Sequence, residues 1–285
     1  MELRSYAKIN LGLRILRKRP DGYHDIETVF RPIDFFDEIS MWQSDENILF
    51  STDNPSLPTD QSNLCVRAAM MLQELTGSHL GVEIRLRKRI PIGAGLGGGS
   101  SNAATVLTGL IRLWNLEMTQ KELISISGHL GSDVPYFILG KSAYATGKGE
   151  QLSMLPLTFP YWIVTVTPSI QVSTVWAYKH CTPSQEGTQV SLRESLLKAS
   201  GDLSQLDHVL RNDFEHVVYP AFPEIRLLRD SLEALGAFTV HLSGSGSSVF
   251  GLFTSESSAS QAMQQLSGLH TVTLTRPHFT PVLPD

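Results

Sequence analysis

Pro91-Ile92-Gly93-Ala94-Gly95-Leu96-Gly97-Gly98-Gly99-Ser100-Ser101-Asn102-Ala103-Ala104 is the stretch on which the reading of this chain turns. Five glycines fall within seven residues, two hydroxyls follow, and an apolar, alanine-containing segment comes next. Glycine serves where backbone must take positive φ or approach a ligand closely. Free N–H groups gathered ahead of a helix N-terminus make an anion site, most often for phosphate. The run therefore predicts a phosphorylated ligand.

Three familiar phosphate motifs compete for it. Gly93-x-Gly95-x-x-Gly98 has the form of the dinucleotide fingerprint. That motif follows a fully buried strand and is matched by an acid about twenty residues on. Here Val82-Glu83-Ile84-Arg85-Leu86-Arg87 alternates and is basic, and the candidate acid, Glu117, sits between two helical patterns. No Lys-Ser/Thr follows the glycines, which removes the Walker form. The H-R-D and D-F-G signatures of protein kinases are missing too.

Outward from the loop, Leu64–Thr76 carries helical spacing, with Ser62 or Asn63 as cap and Gly77 beyond the end. Asn102–Trp114 predicts a helix. Thr119-Gln120-Lys121-Glu122 has the capping-box form and opens another, to Gly128. The first fifteen residues alternate as a half-buried strand, with Lys8 and Asn10 on its polar face. Pro20-Asp21-Gly22 turns the chain back through Ile26–Phe30, and one or two strands are expected between Glu38 and Phe50. The pattern changes near Leu155-Pro156. Beyond it come a strand (Trp162–Thr167), mixed helical segments (Thr174–Val218), a helix (Phe222–Leu235) and two strands (Phe238–Leu242, Ser248–Phe253). A helix (Glu256–Leu266) and a strand (Thr271–Thr275) complete the series. This order predicts a split βαβ or ferredoxin-like layer, and the chain reads as two α+β halves, residues 1–154 and 155–285.

The 285 residues are 41% hydrophobic and 18% charged, the balance of a water-soluble globular protein. A net charge of −5 gives no basic footprint for nucleic acid. Two cysteines, Cys65 and Cys181, make neither a disulfide framework nor a metal cluster. Met1–Lys8 lacks the apolar core of a secretory signal, and no apolar run is long enough to span a bilayer. A cytoplasmic, reduced compartment is expected.

The glycine run resembles the phosphate loop of the galactokinase, homoserine kinase, mevalonate kinase and phosphomevalonate kinase (GHMP) superfamily, of form P-x-G-x-G-L-G-S/G-S-S. Two further signatures of that family stand in the same order: Ala7-Lys8-Ile9-Asn10-Leu11 near the start and Leu242-Ser243-Gly244-Ser245-Gly246-Ser247-Ser248 near the end. Arg19-Pro20-Asp21-Gly22-Tyr23-His24 and Gly131-Ser132-Asp133-Val134-Pro135-Tyr136-Phe137 resemble the branch whose acceptor is a cytidine diphosphate-linked methylerythritol, in the non-mevalonate isoprenoid pathway. The resemblance implies an N-terminal half like ribosomal protein S5, a ferredoxin-like C-terminal half and a site in the cleft between them.

It also implies roles. Pro91 to Ser101 would cradle ATP, with Mg²⁺ as its companion and ligands that spacing leaves unassigned beyond a hydroxyl from Ser100 or Ser101. Asp133 would be the general base; by pattern alone it reads first as a cap for the helix starting at Val134-Pro135, and the two roles are compatible. Lys8 would be the catalytic lysine, against a plain exposed strand lysine. Asn10 either positions substrate or is a strand amide. Tyr23 and His24 would recognise the cytosine, with Tyr178 as the second aromatic face and Trp176 as its competitor. Gly244, Ser245 and Gly246 either approach substrate phosphates or simply turn the chain. Arg85, Arg87, Lys88 and Arg89 read as a solvated strand edge. The expected partners are ATP and a small-molecule acceptor, with no nucleic acid or membrane, and a monomer or weak homodimer. Rival readings are a homoserine- or mevalonate-type kinase, a non-catalytic nucleotide-binding module and a dinucleotide oxidoreductase.

Overall fold

A long β-hairpin sets the frame. In the computed structural model, which describes residues 1–45, 47–183, 190–199, 202–203 and 207–283, β1 (Glu2–Lys18) pairs antiparallel with β2 (His24–Ser44) along nearly its whole length. β3 (Ile48–Thr52), α1 (Leu64–Thr76) and β4 (Gly81–Arg87) follow, then α2 (Gly98–Leu113), α3 (Gln120–Ser127), α4 (Val134–Leu139), β5 (Ala143–Thr146) and β6 (Gln151–Met154). The second half holds β7 (Trp162–Thr167), α5 (Thr174–His180), α6 (Leu192–Lys198), α7 (Glu215–Ala221), α8 (Pro223–Ala234), β8 (Thr239–Leu242), β9 (Val249–Phe253), α9 (Glu256–Leu266) and β10 (Thr271–Thr275). Parts of the expected helical stretch 174–218 lie outside the described residues.

The first sheet runs β3-β4-β2-β5-β6, with β1 on the other edge of β2. The second runs β10-β7-β9-β8, every pair antiparallel, which is the ferredoxin-like order. α1 and α2 cover the first sheet through Leu72, Val106, Leu107 and Leu110 against Ile39, Met41 and Ile84. Another cluster joins the halves: Ala7, Ile9 and Leu11 of β1 pack with Tyr161, Ile163, Phe250 and Leu252 of the second. The two sheets thus share apolar core rather than meeting as separate bodies.

Several expectations need correction. The second strand does not stop at Phe30 but runs on to Ser44, because Pro32 sits at a bulge, where a missing N–H costs no ladder bond. β5 and β6, too short to show a period, were not expected. The helix after the loop begins at Gly98, four residues earlier than its apolar pattern. Most consequential, β1 is not half-buried. From Ser5 to Leu13 both faces are covered, so Lys8 and Asn10 are inside, at 4% and 1% exposure. Burying a lysine is costly unless it is paired, so that face is organised around polar contacts.

Candidate active site

The glycine loop is held at both ends by one buried carboxylate. Asp37 Oδ1 accepts the N–H groups of Arg89 (2.7 Å) and Ile90 (2.8 Å) at the entry. Its Oδ2 accepts Asn102 Nδ2 (2.8 Å) from α2 and pairs with Lys88 Nζ. Lys88 is therefore not part of a solvated edge: its side chain is 3% exposed. Arg85, Arg87 and Arg89 do lie at the surface, paired with Glu83 and Glu38, contacts worth about 0–1 kcal/mol each.

Between those anchors φ is positive at Gly93 (68°), Gly95 (76°) and Gly97 (71°), while Ala94 and Leu96 tuck into the core. The loop alternates buried anchor and open backbone. A Cβ at Gly95 would lie 1.9 Å from the Ser243 carbonyl, and one at Gly97 would lie 2.6 Å from the Phe137 ring. No side chain caps α2 among the described residues, so its first-turn N–H groups are free for an anion, with the helix dipole behind them. Pro91 and Ile92 form the rim, Ile92 at 36% exposure. Ser100 is half-buried, whereas the Ser101 hydroxyl is spent in the core, donating to the Tyr6 carbonyl (2.6 Å) and accepting from Ser5 (2.8 Å).

The late glycine turn closes on this loop. Ser243 Oγ donates to the Gly95 carbonyl (2.9 Å), and Ser248 N–H donates to that of Ala94 (3.1 Å). A Cβ at Gly244 would stand 3.1 Å from Gly95 Cα and 3.6 Å from Asn10 Oδ1. Three stretches remote in sequence thus meet at one point. Ser245 Oγ is engaged by Thr174 Oγ1 (2.9 Å). Asn212, which sequence reading missed, donates to the carbonyls of Leu242 (2.9 Å) and Gly244 (2.7 Å) and fixes the turn.

Behind the turn, the buried His241 sits against Glu215 (3.1 Å) and Asp207 (3.4 Å). Burial alone would lower its pKa, but hydrogen bonds to the two carboxylates outweigh it and push it up to about 9. The folded state therefore holds a proton that the unfolded chain releases near pH 6.5. The stabilisation is complete below that pH and is lost as pH rises through about 9, at most on the order of 3 kcal/mol. Urea midpoints at pH 6 and pH 9.5 are expected to differ in the wild type, and by clearly less in His241→Gln.

Lys8, Asn10 and Asp133 lie beside the loop. Lys8 N–H donates to the Leu96 carbonyl (3.1 Å), tying strand to loop. Its ammonium donates to Asn10 Oδ1 (2.7 Å), lies 3.8 Å from Asp133 Oδ2 and 4.9 Å from the centre of the Phe30 ring. Asn10 Nδ2 donates to Thr28 Oγ1 (2.9 Å), which donates to the Gly12 carbonyl (2.6 Å). Gly12, at φ 77°, occupies a bulge of β1 that sets this chain of contacts. Burial lowers the Lys8 pKa and Asp133 partly restores it. Asp133 precedes α4, yet its carboxylate makes no cap bond among the described residues; it is 29% exposed and faces Lys8. Its side chain therefore does not cap the helix.

His24 stacks on Tyr178, centroids 4.8 Å apart and planes 16° off parallel. Desolvation lowers the His24 pKa, and burial pushes the Tyr178 phenol up to about 12. Tyr23 stands 60% exposed, with Lys148 Nζ 4.6 Å above its ring. Trp176 instead packs on His180 and Phe222. Lys148 had no sequence signal; it arrives on the β5–β6 turn, where Gly149 comes within 3.8 Å (virtual Cβ) of Asp133 Oδ1. Among the described residues no three acidic, His or Cys side chains converge as a metal site, and no helix is long and apolar enough to cross a membrane.

Fold and site together define a phosphoryl-transfer enzyme of the GHMP type, and comparison with known proteins agrees. Residues 63–141 match the GHMP kinases N terminal domain and residues 190–269 the GHMP kinases C terminal domain. A Prosthecochloris aestuarii protein named 4-diphosphocytidyl-2-C-methyl-D-erythritol kinase is 48% identical over 99% of this chain and 97% of its own. A Chlorobium limicola protein of the same name is 46% identical over 99% of both. A crystal structure of 4-(cytidine 5'-diphospho)-2C-methyl-D-erythritol kinase superposes with a TM-score of 0.81 at 35% identity, covering 96% of this chain and 98% of that one. Homoserine kinase from Cytophaga hutchinsonii (TM-score 0.68, 18% identity, 97% and 95% covered) shares the fold. The chain belongs to the GHMP kinase family, in the branch of the 4-diphosphocytidyl-2-C-methyl-D-erythritol kinases.

Proposed function

We propose that this kinase moves the γ-phosphoryl group of ATP onto the 2-hydroxyl of 4-diphosphocytidyl-2-C-methyl-D-erythritol, in the supply of isoprenoid precursors. The observation that carries the reading is the Lys8–Asp133 pair, 3.8 Å apart, set beside the open amides of the glycine loop. The loop amides and the α2 N-terminus hold the ATP phosphates. Asp133 accepts the acceptor's hydroxyl proton as that oxygen bonds to the γ-phosphorus and the bond to the β-phosphate oxygen breaks, releasing ADP. Lys8 faces the negative charge in flight, and Asn10 fixes the ammonium. Phosphoryl transfer passes through a loose transition state, so positioning and charge do most of the work.

Mg²⁺ fits as an ion carried on the nucleotide, since such ions keep waters and phosphate oxygens and take few protein ligands. Ser100 is the hydroxyl that would hold it; Ser101 is already committed to Tyr6 and Ser5. Bound there, the ion would screen the phosphates. The division into residues 1–154 and 155–285, supported by the two separate sheets, and a cytoplasmic site of action belong to the same proposal.

His24 and Tyr178 stack with no gap for a third ring. The cytosine therefore stacks on the exposed Tyr23 or separates that pair. Stacking is worth about 1–3 kcal/mol, so Tyr23→Ala is expected to raise the acceptor KM about 5- to 150-fold, with the ATP KM unchanged in steady-state assays. The decisive experiment offers labelled ATP and a panel of acceptors: the cytidyl diphosphate, mevalonate, homoserine and galactose. Transfer to the first alone is expected. Transfer to mevalonate or homoserine instead would overturn the substrate and keep the kinase; no ATP consumption with any acceptor would leave a nucleotide-binding module.

A further inference from the structure

Away from the cleft, a cavity of about 240 Å³ opens between β1, α2, α4 and the C-terminal residues 281–283. Benzene occupies an engineered cavity of about 150 Å³, so this one admits roughly ten non-hydrogen atoms. Leu123, Ile138 and Leu283 make its walls apolar. Tyr136, which also lines it, is 1% exposed, and its hydroxyl has no hydrogen-bond partner among the described residues. Arg4 and Arg112 also line it, both exposed; Arg4 stacks on the Phe36 ring (4.5 Å), and neither meets a carboxylate among the described residues.

An apolar pocket with two exposed guanidiniums at its rim suits an amphipathic anion. Guanidinium binds phosphate and carboxylate through paired donors, and a buried hydrocarbon tail adds apolar contact.

The same residues touch the chemistry from behind. Tyr136 and Phe137 follow Asp133 by three and four positions. The Tyr136 ring packs on Phe30 (4.8 Å), above which the Lys8 ammonium sits, and Phe137 is the ring that closes on Gly97. The cavity wall is thus continuous with the segment that follows Asp133.

We propose that this cavity is a second ligand site, for an anion with a short hydrocarbon tail and a phosphate or carboxylate head, and that its occupancy shifts α4 and slows turnover. The probe is hexyl phosphate, titrated calorimetrically into the enzyme with the glycine loop saturated by a non-hydrolysable ATP analogue. Hexyl phosphate is expected to bind, and hexanol and inorganic phosphate to bind at least about tenfold more weakly. R4Q and R112Q should each weaken binding about tenfold, the worth of one charged hydrogen bond, with no change in basal turnover. Under turnover, hexyl phosphate is expected to lower kcat about fivefold with the ATP KM unchanged. Absence of binding to the nucleotide-loaded enzyme, undiminished binding by the R4Q/R112Q double variant, or simple competition with ATP would each overturn the site. Binding that leaves kcat untouched would overturn its coupling to α4. Because binding is read without turnover, a wrong acceptor in the reading above leaves this test intact.

Discussion

Asp133→Asn is expected to lower kcat by about 10²- to 10⁴-fold, the usual span for a positioned general base, with little change in the KM for ATP. The amide keeps the shape of the carboxylate and removes its proton affinity. Because Asp133 makes no cap bond to α4 among the described residues, the fold loses little, and the melting temperature should stay within a few degrees. A second signature separates chemistry from structure. Asp133 opposes the desolvation that lowers the Lys8 pKa. Without it the lysine titrates at lower pH, so the alkaline limb of the residual kcat profile should move down. Near-wild-type turnover in Asp133→Asn would remove it as base, and an unmoved alkaline limb would mean that it does not sustain the Lys8 charge.

What sequence could reveal divides along a physical line. Signals written within a few residues were legible. Asn63 and Gly77 bound α1, the Thr119–Glu122 capping box is formed at both bonds, and α9 and β10 fall where the pattern put them. Signals that depend on a remote partner were not. Lys88 sits in a basic run, and only Asp37, some fifty residues earlier, turns it into a buried anchor of the loop. Lys8 and Asn10 lie on the polar side of an alternating strand, which predicts exposure; the late turn and α4 cover that side. Lys148 reaches Tyr23 on strands of four residues each, too short to carry a period. Glycine stands between the two cases. The run announced close approach, but that Gly95 meets Ser243 and Gly97 meets Phe137 is tertiary information.

That division bears on Lys8, where a local pattern predicted the opposite of its environment. Lys8→Met is expected to cut kcat by about 10²- to 10³-fold, the cost of removing one preorganised donor to developing charge, while leaving the ATP KM and the fold nearly intact. Two stability effects oppose each other. Replacing a buried charge by an apolar side chain of similar length relieves its desolvation, an exchange that is often neutral or stabilising. Against it, Asn10 Oδ1 loses its 2.7 Å donor, at about 1–3 kcal/mol. Asp133 keeps access to water at 29% exposure, so it is not left as an uncompensated buried charge. An urea midpoint close to wild type beside a large kcat loss is therefore the expected pair of results. The double variant with Asp133→Asn sharpens the point. Two groups that serve one step do not add, so the double should fall little further than the worse single rather than by the product. Multiplicative losses would mean that Lys8 and Asp133 act separately, and an unchanged kcat in Lys8→Met would take the lysine out of the reaction.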